Sequence, residues 1–221
     1  MADRNDENDT VIAAWNGVLF DKFMRFRRIL TDGLRGHSDA CFRRHVPRPG
    51  ASVLDIGCGF GDTTLELALA VGSGGRAVGV DCAENFIREA ENTAHAAGAK
   101  NVSFVAADVQ RHGLGGPYDQ AYARFGTMFF SLPGAALRNV RTSLAPGGTL
   151  TMIVWRRRED NPWLQAAEQR VREIVPVVSH DETDQVHCGP GPFSMASADL
   201  VSDLLLGSGY GTVQFERCDR D

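Results

Sequence analysis

The sequence predicts an α/β fold: a doubly wound, mostly parallel sheet with helices on both faces. Three observations carry that expectation. Short β-branched runs alternate with stretches of helical spacing from residue 50 to residue 155. Glycine- or proline-rich turns, Gly72-Ser-Gly-Gly75 and Pro146-Gly-Gly148 among them, punctuate the alternation. The first strand, Val53 to Ile56, runs into Gly57, Gly59 and Gly61 before helical spacing resumes at Leu65. A strand feeding a glycine turn that opens a helix is the ligand-cradling unit of open α/β sheets.

Ahead of this core, the polar and acidic residues 1–9 read as a mobile tail, and residues 10–49 as helices. Ile12, Trp15, Leu19, Phe23, Phe26, Leu30 and Leu34 recur in steps of three and four, the pattern of one amphipathic helix. Its aromatic residues either pack in the core or make the helix a flap over a ligand site. A second short helix is expected from Ser38 to the breaker Pro47-Arg-Pro-Gly50.

Within the core (50–155), strands are expected at 53–56, 77–81, 102–107, 118–123 and 149–155. Helices are expected at 62–71, 83–98 and 133–144, the last with Pro133 in its first turn. Residues 156–195 read as a substrate-cover insertion: a helix from Pro162, then a loop. A helix over 198–206 and a strand over 212–218 end the last segment, 196–221.

The chain has 221 residues and 43% apolar residues, suited to one domain with a substantial core. No apolar run approaches the roughly 18 residues of a membrane span, and the start does not resemble a secretory signal, so a cytoplasmic protein away from membranes is expected. Five cysteines without a CxxC spacing argue against a disulfide framework or a zinc site. The net charge of −5 argues against nucleic acid as a partner.

The chemistry sits at the strand ends. The third glycine of a dinucleotide fingerprint would fall on Asp62, and a carboxylate is poorly placed beside a pyrophosphate. Asp81 ends the second strand, where an acid accepts two ribose hydroxyls. Asp108, after the third strand, is placed to accept from an exocyclic amine. Together with Asp55 these acids suit a ligand with an ammonium, a ribose and an adenine, and no phosphate. Asp55 and Asp62 have a simpler reading as supports for the helix start, and Cys58 and Cys82 as small packed residues.

Val53-Leu-Asp-Ile-Gly-Cys-Gly-Phe-Gly61, Val78-Gly-Val-Asp81, Ala106-Ala-Asp108, Ala123-Arg-Phe-Gly126 and Leu144-Ala-Pro-Gly-Gly148 resemble, in order and spacing, the class I S-adenosylmethionine-dependent methyltransferases. The likeness is greatest to the small-molecule branch similar to the ubiquinone/menaquinone biosynthesis enzymes. It implies a Rossmann-like fold and S-adenosyl-L-methionine as cofactor. By position, Gly57, Cys58 and Gly59 would hold the methionine part, with Asp55 supporting the loop or approaching the ammonium. Asp81 would take the ribose, Cys82 would line the adenine pocket, Asp108 and Val109 would meet the adenine, and Arg124 would stand beside the methionine end. The expected activity is in-line methyl transfer to a small, apolar or aromatic acceptor. A non-catalytic cofactor-binding protein and a nucleotide-dependent oxidoreductase are the rival readings.

Trp15, Phe125, Met128, Phe129, Trp155 and His180 are candidates for the acceptor pocket, and His180 and His187, in the cover loop, for a general base. The Asn/Asp-Pro-Pro-aromatic motif of many nucleic-acid amino-methylating enzymes is replaced by Ala123-Arg-Phe-Gly126. Family members generally finish with a further antiparallel strand, which this chain is expected to lack. That would leave a sheet edge for a partner, a second copy of the chain among the options.

Overall fold

A computed structural model describes residues 4–175 and 189–219. Its centre is a five-stranded, all-parallel sheet in the order β3-β2-β1-β4-β5. The strands are β1 (Ser52–Ile56), β2 (Arg76–Asp81), β3 (Val102–Ala106), β4 (Tyr118–Arg124) and β5 (Leu144–Ile153). The chain builds outward from β1 through β2 to β3, then returns to lay β4 on the other side of β1, with Leu54 opposite both Val78 and Ala121. That reversal makes the carboxyl ends of β1 and β4 a topological switch point, where a crevice opens.

Side chains alternate along β1 between two cores. Val53 packs with Leu67, Ala68 and Val71 of α4 (Asp62–Val71). Leu54 and Ile56 point the other way, into the cluster that holds Ala136 and Val140 of α6 (Pro133–Ser143). On the α4 side also lies α5 (Glu84–Ala96), which buries Phe86, Ile87, Ala90 and Ala94. β4 and β5 pair Tyr118 with Leu144 and Gln120 with Thr149. The turn expected at Pro146-Gly-Gly148 is therefore a bulge inside β5, with Gly147 at φ +79°.

The N-terminal region differs from expectation in two ways. Residues expected as a mobile tail are helical from Arg4, in α1 (Arg4–Ala14), and Asn8 is buried. The long helix expected from residue 10 to 34 is instead three pieces: α1, a π-helical turn Trp15–Leu19 with α2 (Phe20–Arg25), and α3 (Arg27–Arg44). The breaks fall at Gly17 (φ −120°, ψ −107°) and Phe26 (φ −110°, ψ 16°). α3 then runs through Ser38, where a separate helix was expected to begin. Arg27 explains the second break: it reaches across to Glu89 (2.6 Å) and Thr93 (3.0 Å) and lies 4.6 Å over the Phe60 ring.

Beyond β5 come α7 (Pro162–Ile174) and α8 (Ala198–Gly207). The strand expected over 212–218 is not formed. Arg44 holds Glu216 at 2.7 Å and Arg156 holds Asp219 at 3.1 Å, so this stretch is tied by side chains to α3 and to the end of β5 rather than by a backbone ladder. β5 is consequently an edge strand among the described residues. No described helix is long and apolar enough to cross a membrane.

Candidate functional site

The glycine loop doubles back on β2. Gly57 N–H and Cys58 N–H both donate to the Val80 carbonyl, at 2.8 and 3.1 Å. Gly57 (φ +65°) approaches the strand end so closely that a Cβ would meet Gly126 Cα at 3.2 Å. Gly61 (φ +79°) starts α4, and a Cβ there would lie 2.9 Å from Ala90 and from the Phe104 ring. Both positions require glycine, for conformation and for space.

Asp81 ends β2 with each carboxylate oxygen accepting one main-chain N–H: Oδ2 from Gly59 and Oδ1 from Ala83, both at 3.0 Å. The Cys82 N–H and thiol also lie close enough to this carboxylate to lower its pKa. Burial raises its pKa and these N–H donors oppose that rise. Asp55 is buried at the end of β1 and accepts Thr64 Oγ1–H at 2.6 Å. Burial pushes it up to about 7, while Thr64 and Arg124 pull it down and Asp81 and Glu66 add to the rise. The loop-support reading of Asp55 thus has a concrete bond, whereas Asp62 faces Arg27 at 3.9 Å.

Asp108 is buried and accepts from Gln110 and from Asn8, a residue of α1. Val109 belongs to the core cluster beneath β1 and also lines the crevice. Arg124, ending β4, donates to Ser38 Oγ at 3.0 Å and is close enough to lower the pKa values of both Asp55 and Glu66. Burial raises the Cys58 and Cys82 thiols well above their ordinary value, as expected of packed residues and not of nucleophiles.

One cavity of about 1650 Å³ joins this crevice to an aromatic region past β4 and β5. Phe125, at φ +56° the one described non-glycine residue with positive φ, stacks on Trp155 at 4.4 Å and 23°. Strain of that kind collects where surrounding packing fixes a residue for a purpose. His37 of α3 meets both rings edge-on, at 5.5 and 5.6 Å. Trp15 meets Phe129 edge-on at 5.0 Å. Met128 is fully buried, and its sulfur accepts Trp155 N–H at 3.3 Å, so it backs the wall. His180 and His187 lie outside the described residues.

The crevice therefore brings together Asp55, Gly57, Cys58, Gly59, Asp81, Cys82, Asp108, Val109 and Arg124 along one cavity, with Trp15, Phe125, Phe129 and Trp155 further along it. Sequence reasoning missed Asn8 and His37. Neither carries a local signal: each is a lone polar residue whose partners come from distant strand ends.

A sequence profile described as a methyltransferase domain matches residues 47–200. Nocamycin O-methyltransferase of Saccharothrix syringae is 36% identical over 76% of this chain and 62% of its own length. Demethylmenaquinone methyltransferase of Lactococcus lactis subsp. lactis (strain IL1403) is 26% identical over 76% of this chain and 69% of its own. The chain thus spans less than two thirds of the first of these relatives. The solved structure of a SAM dependent methyltransferase from Aquifex aeolicus superposes with a TM-score of 0.55 at 22% identity, covering 73% of each chain, a likeness of fold.

Proposed function

The chain belongs to the methyltransferase domain family, in its class I S-adenosylmethionine-dependent, small-molecule branch, and on that footing we propose that it methylates a planar, largely apolar small molecule. The observation that carries the reading is Asp81, tied to the glycine loop through Gly59 N–H and lining a cavity too large for a cofactor alone. Ligand pockets usually measure about 300–1000 Å³; about 1650 Å³ accommodates a cofactor and an acceptor side by side.

When bound, S-adenosylmethionine supplies an electrophilic methyl group on a sulfonium, open to in-line displacement. The chain's own part is positioning and exclusion of water. In this reading Asp81 accepts the two ribose hydroxyls. Main-chain groups of Gly57 to Gly59 hold the methionine part, and Cys82 and Val109 wall the adenine. Arg124 and Asp55 meet the charges of the amino-acid end. The Phe125–Trp155 stack and the Trp15–Phe129 pair form flat walls for a conjugated acceptor. The printed names of the two relatives concern small-molecule acceptors, which supports that class without naming this chain's own acceptor. A cytoplasmic location, and a second copy of the chain against the outer edge of β5, belong to the same proposal; cell fractionation and light scattering test them.

Calorimetry with S-adenosylmethionine and S-adenosylhomocysteine tests the cofactor assignment. Asp81→Ala is expected to weaken both by about 1.5–3 kcal/mol, the worth of hydrogen bonds to a charged group. An unchanged affinity would refute the role of Asp81, and tighter binding of NAD than of either ligand would refute the reading as a whole. Transfer of a labelled methyl group into metabolite extracts separates an enzyme from a protein that only binds the cofactor.

A further inference from the structure

Asp108 is engaged on both carboxylate oxygens. Its Oδ1 accepts the Gln110 backbone N–H at 2.9 Å and Gln110 Nε2–H at 3.1 Å. Its Oδ2 accepts Asn8 Nδ2–H at 2.8 Å and faces Arg111 Nε at 3.4 Å. Three hydrogen bonds and one ion-pair contact thus engage both oxygens. Gln110 and Arg111 belong to the turn that carries Asp108 and move with it. Asn8 arrives from α1, 100 positions away in the chain.

The Asn8 amide is fixed in orientation, because its Oδ1 accepts Gln110 Nε2–H at 2.9 Å while its NH2 faces the carboxylate. The side chain is buried. Asp9 adds an ion pair to Arg111 at 2.5 Å. Further along, α1 ends at the π-helical turn, where Gly17 departs from helical φ and ψ with nothing within 4 Å of where a Cβ would stand. On the α1 side of that break, Asn16 accepts Asn85 N–H at 2.8 Å and Trp15 packs on Phe129. α1 therefore meets the crevice through a polar latch at Asn8, and its far end is held by Trp15 and Asn16 ahead of the break.

We propose that Asn8 is an internal occupant of the adenine subsite: its planar NH2 takes at Asp108 the place of an exocyclic amine, and an adenine nucleoside must displace it. A primary amide and an aminopurine present the same group, two N–H donors in the plane of a conjugated system. Both would approach the same oxygen, Oδ2, beside which Arg111 already stands. Adenine binding then releases the start of α1, while Trp15 and Asn16 keep its far end in place. This rests on the reading of the crevice as an S-adenosylmethionine site.

The test is the affinity for S-adenosylhomocysteine of the full chain and of Asn8→Ala, read by calorimetry, with hydrogen exchange of residues 4–14 in parallel. Removing the internal competitor is expected to tighten binding about 10- to 150-fold, the population cost of a latch worth one hydrogen bond to a charge. In the wild type, saturating S-adenosylhomocysteine is expected to speed exchange in α1. Should Asn8→Ala fold poorly, Asn8→Asp sets like charges face to face and is expected to tighten binding in the same direction. Unchanged or weaker binding in the variants, or protection of α1 by the ligand, overturns the latch while leaving the cofactor reading intact. No binding of S-adenosylhomocysteine or S-adenosylmethionine to the wild type overturns both.

Discussion

Asp55 offers the most quantitative test of how the crevice is built. It is 1% exposed, and burial holds its carboxyl at about 7 against an ordinary 3.8. The folded chain therefore keeps a proton that the unfolded chain releases between about pH 4 and pH 7. Folding stability must fall as pH rises through that window, then level off. At about 1.4 kcal/mol for each pH unit of separation, the loss attributable to this one group is about 4 kcal/mol. Asp55→Asn removes the titration but keeps the shape, and its amide oxygen still accepts from Thr64. Glu66, raised by its own burial, tilts stability the same way in both proteins and largely drops out of the difference. Urea unfolding followed by far-ultraviolet circular dichroism, at steps from about pH 4.5 to pH 8.5, gives the two curves. The stability of Asp55→Asn relative to wild type is expected to climb by about 3 kcal/mol across the series, the rest of the change lying below pH 4.5. Parallel curves would sink the assignment of a proton to Asp55.

Two further outcomes follow from the same geometry. A cationic ligand group near Asp55 favours its ionised form, so binding of S-adenosylmethionine near pH 7 is expected to release a fraction of a proton; calorimetry in buffers of different ionisation enthalpy reads it, and an equal heat in every buffer contradicts it. Gly61→Ala is expected to cost about 2–3 kcal/mol, since it combines positive φ with contacts of 2.9 Å to Ala90 and Phe104. Gly98→Ala, at φ +65° with nothing within 4 Å, is expected to cost only about 1 kcal/mol by the same denaturation measurement, and equal losses would refute the steric part.

What the sequence made legible is what it encodes locally. The sheet was readable because strand and helix periods alternate over 53–155, and the crevice because Gly57, Gly61, Asp81 and Asp108 mark strand ends by residue type alone. Three features were not readable, each for a physical reason. The steps of three and four persist across Gly17 and Phe26, so periodicity cannot show that the helix breaks there. Thr212-Val-Gln-Phe-Glu216 alternates like a strand, yet the ion pairs of Glu216 and Asp219 with Arg44 and Arg156 are formed across more than 60 positions. Asn8 reads as one more polar residue of a tail until Asp108 is placed beside it.

The way the N-terminal helices meet the core also explains which part of them is free to answer a ligand. Their middle is held by Trp15, Phe20 and Phe23 against Phe60 and Phe86, rings 5.0–6.5 Å apart in edge-on or tilted contact. A ligand that offers hydrogen bonds and charge has nothing to exchange for that contact, which excludes water rather than pairing with it. At the start of α1 the contact is of another kind. Asn8 and Asp9 are held by a carboxylate, an amide and a guanidinium, and each of those bonds has an equivalent that a ligand or water can supply. The helix is therefore anchored where its contacts are apolar and exchangeable where they are polar. The exchangeable end is the one that rests on Asp108.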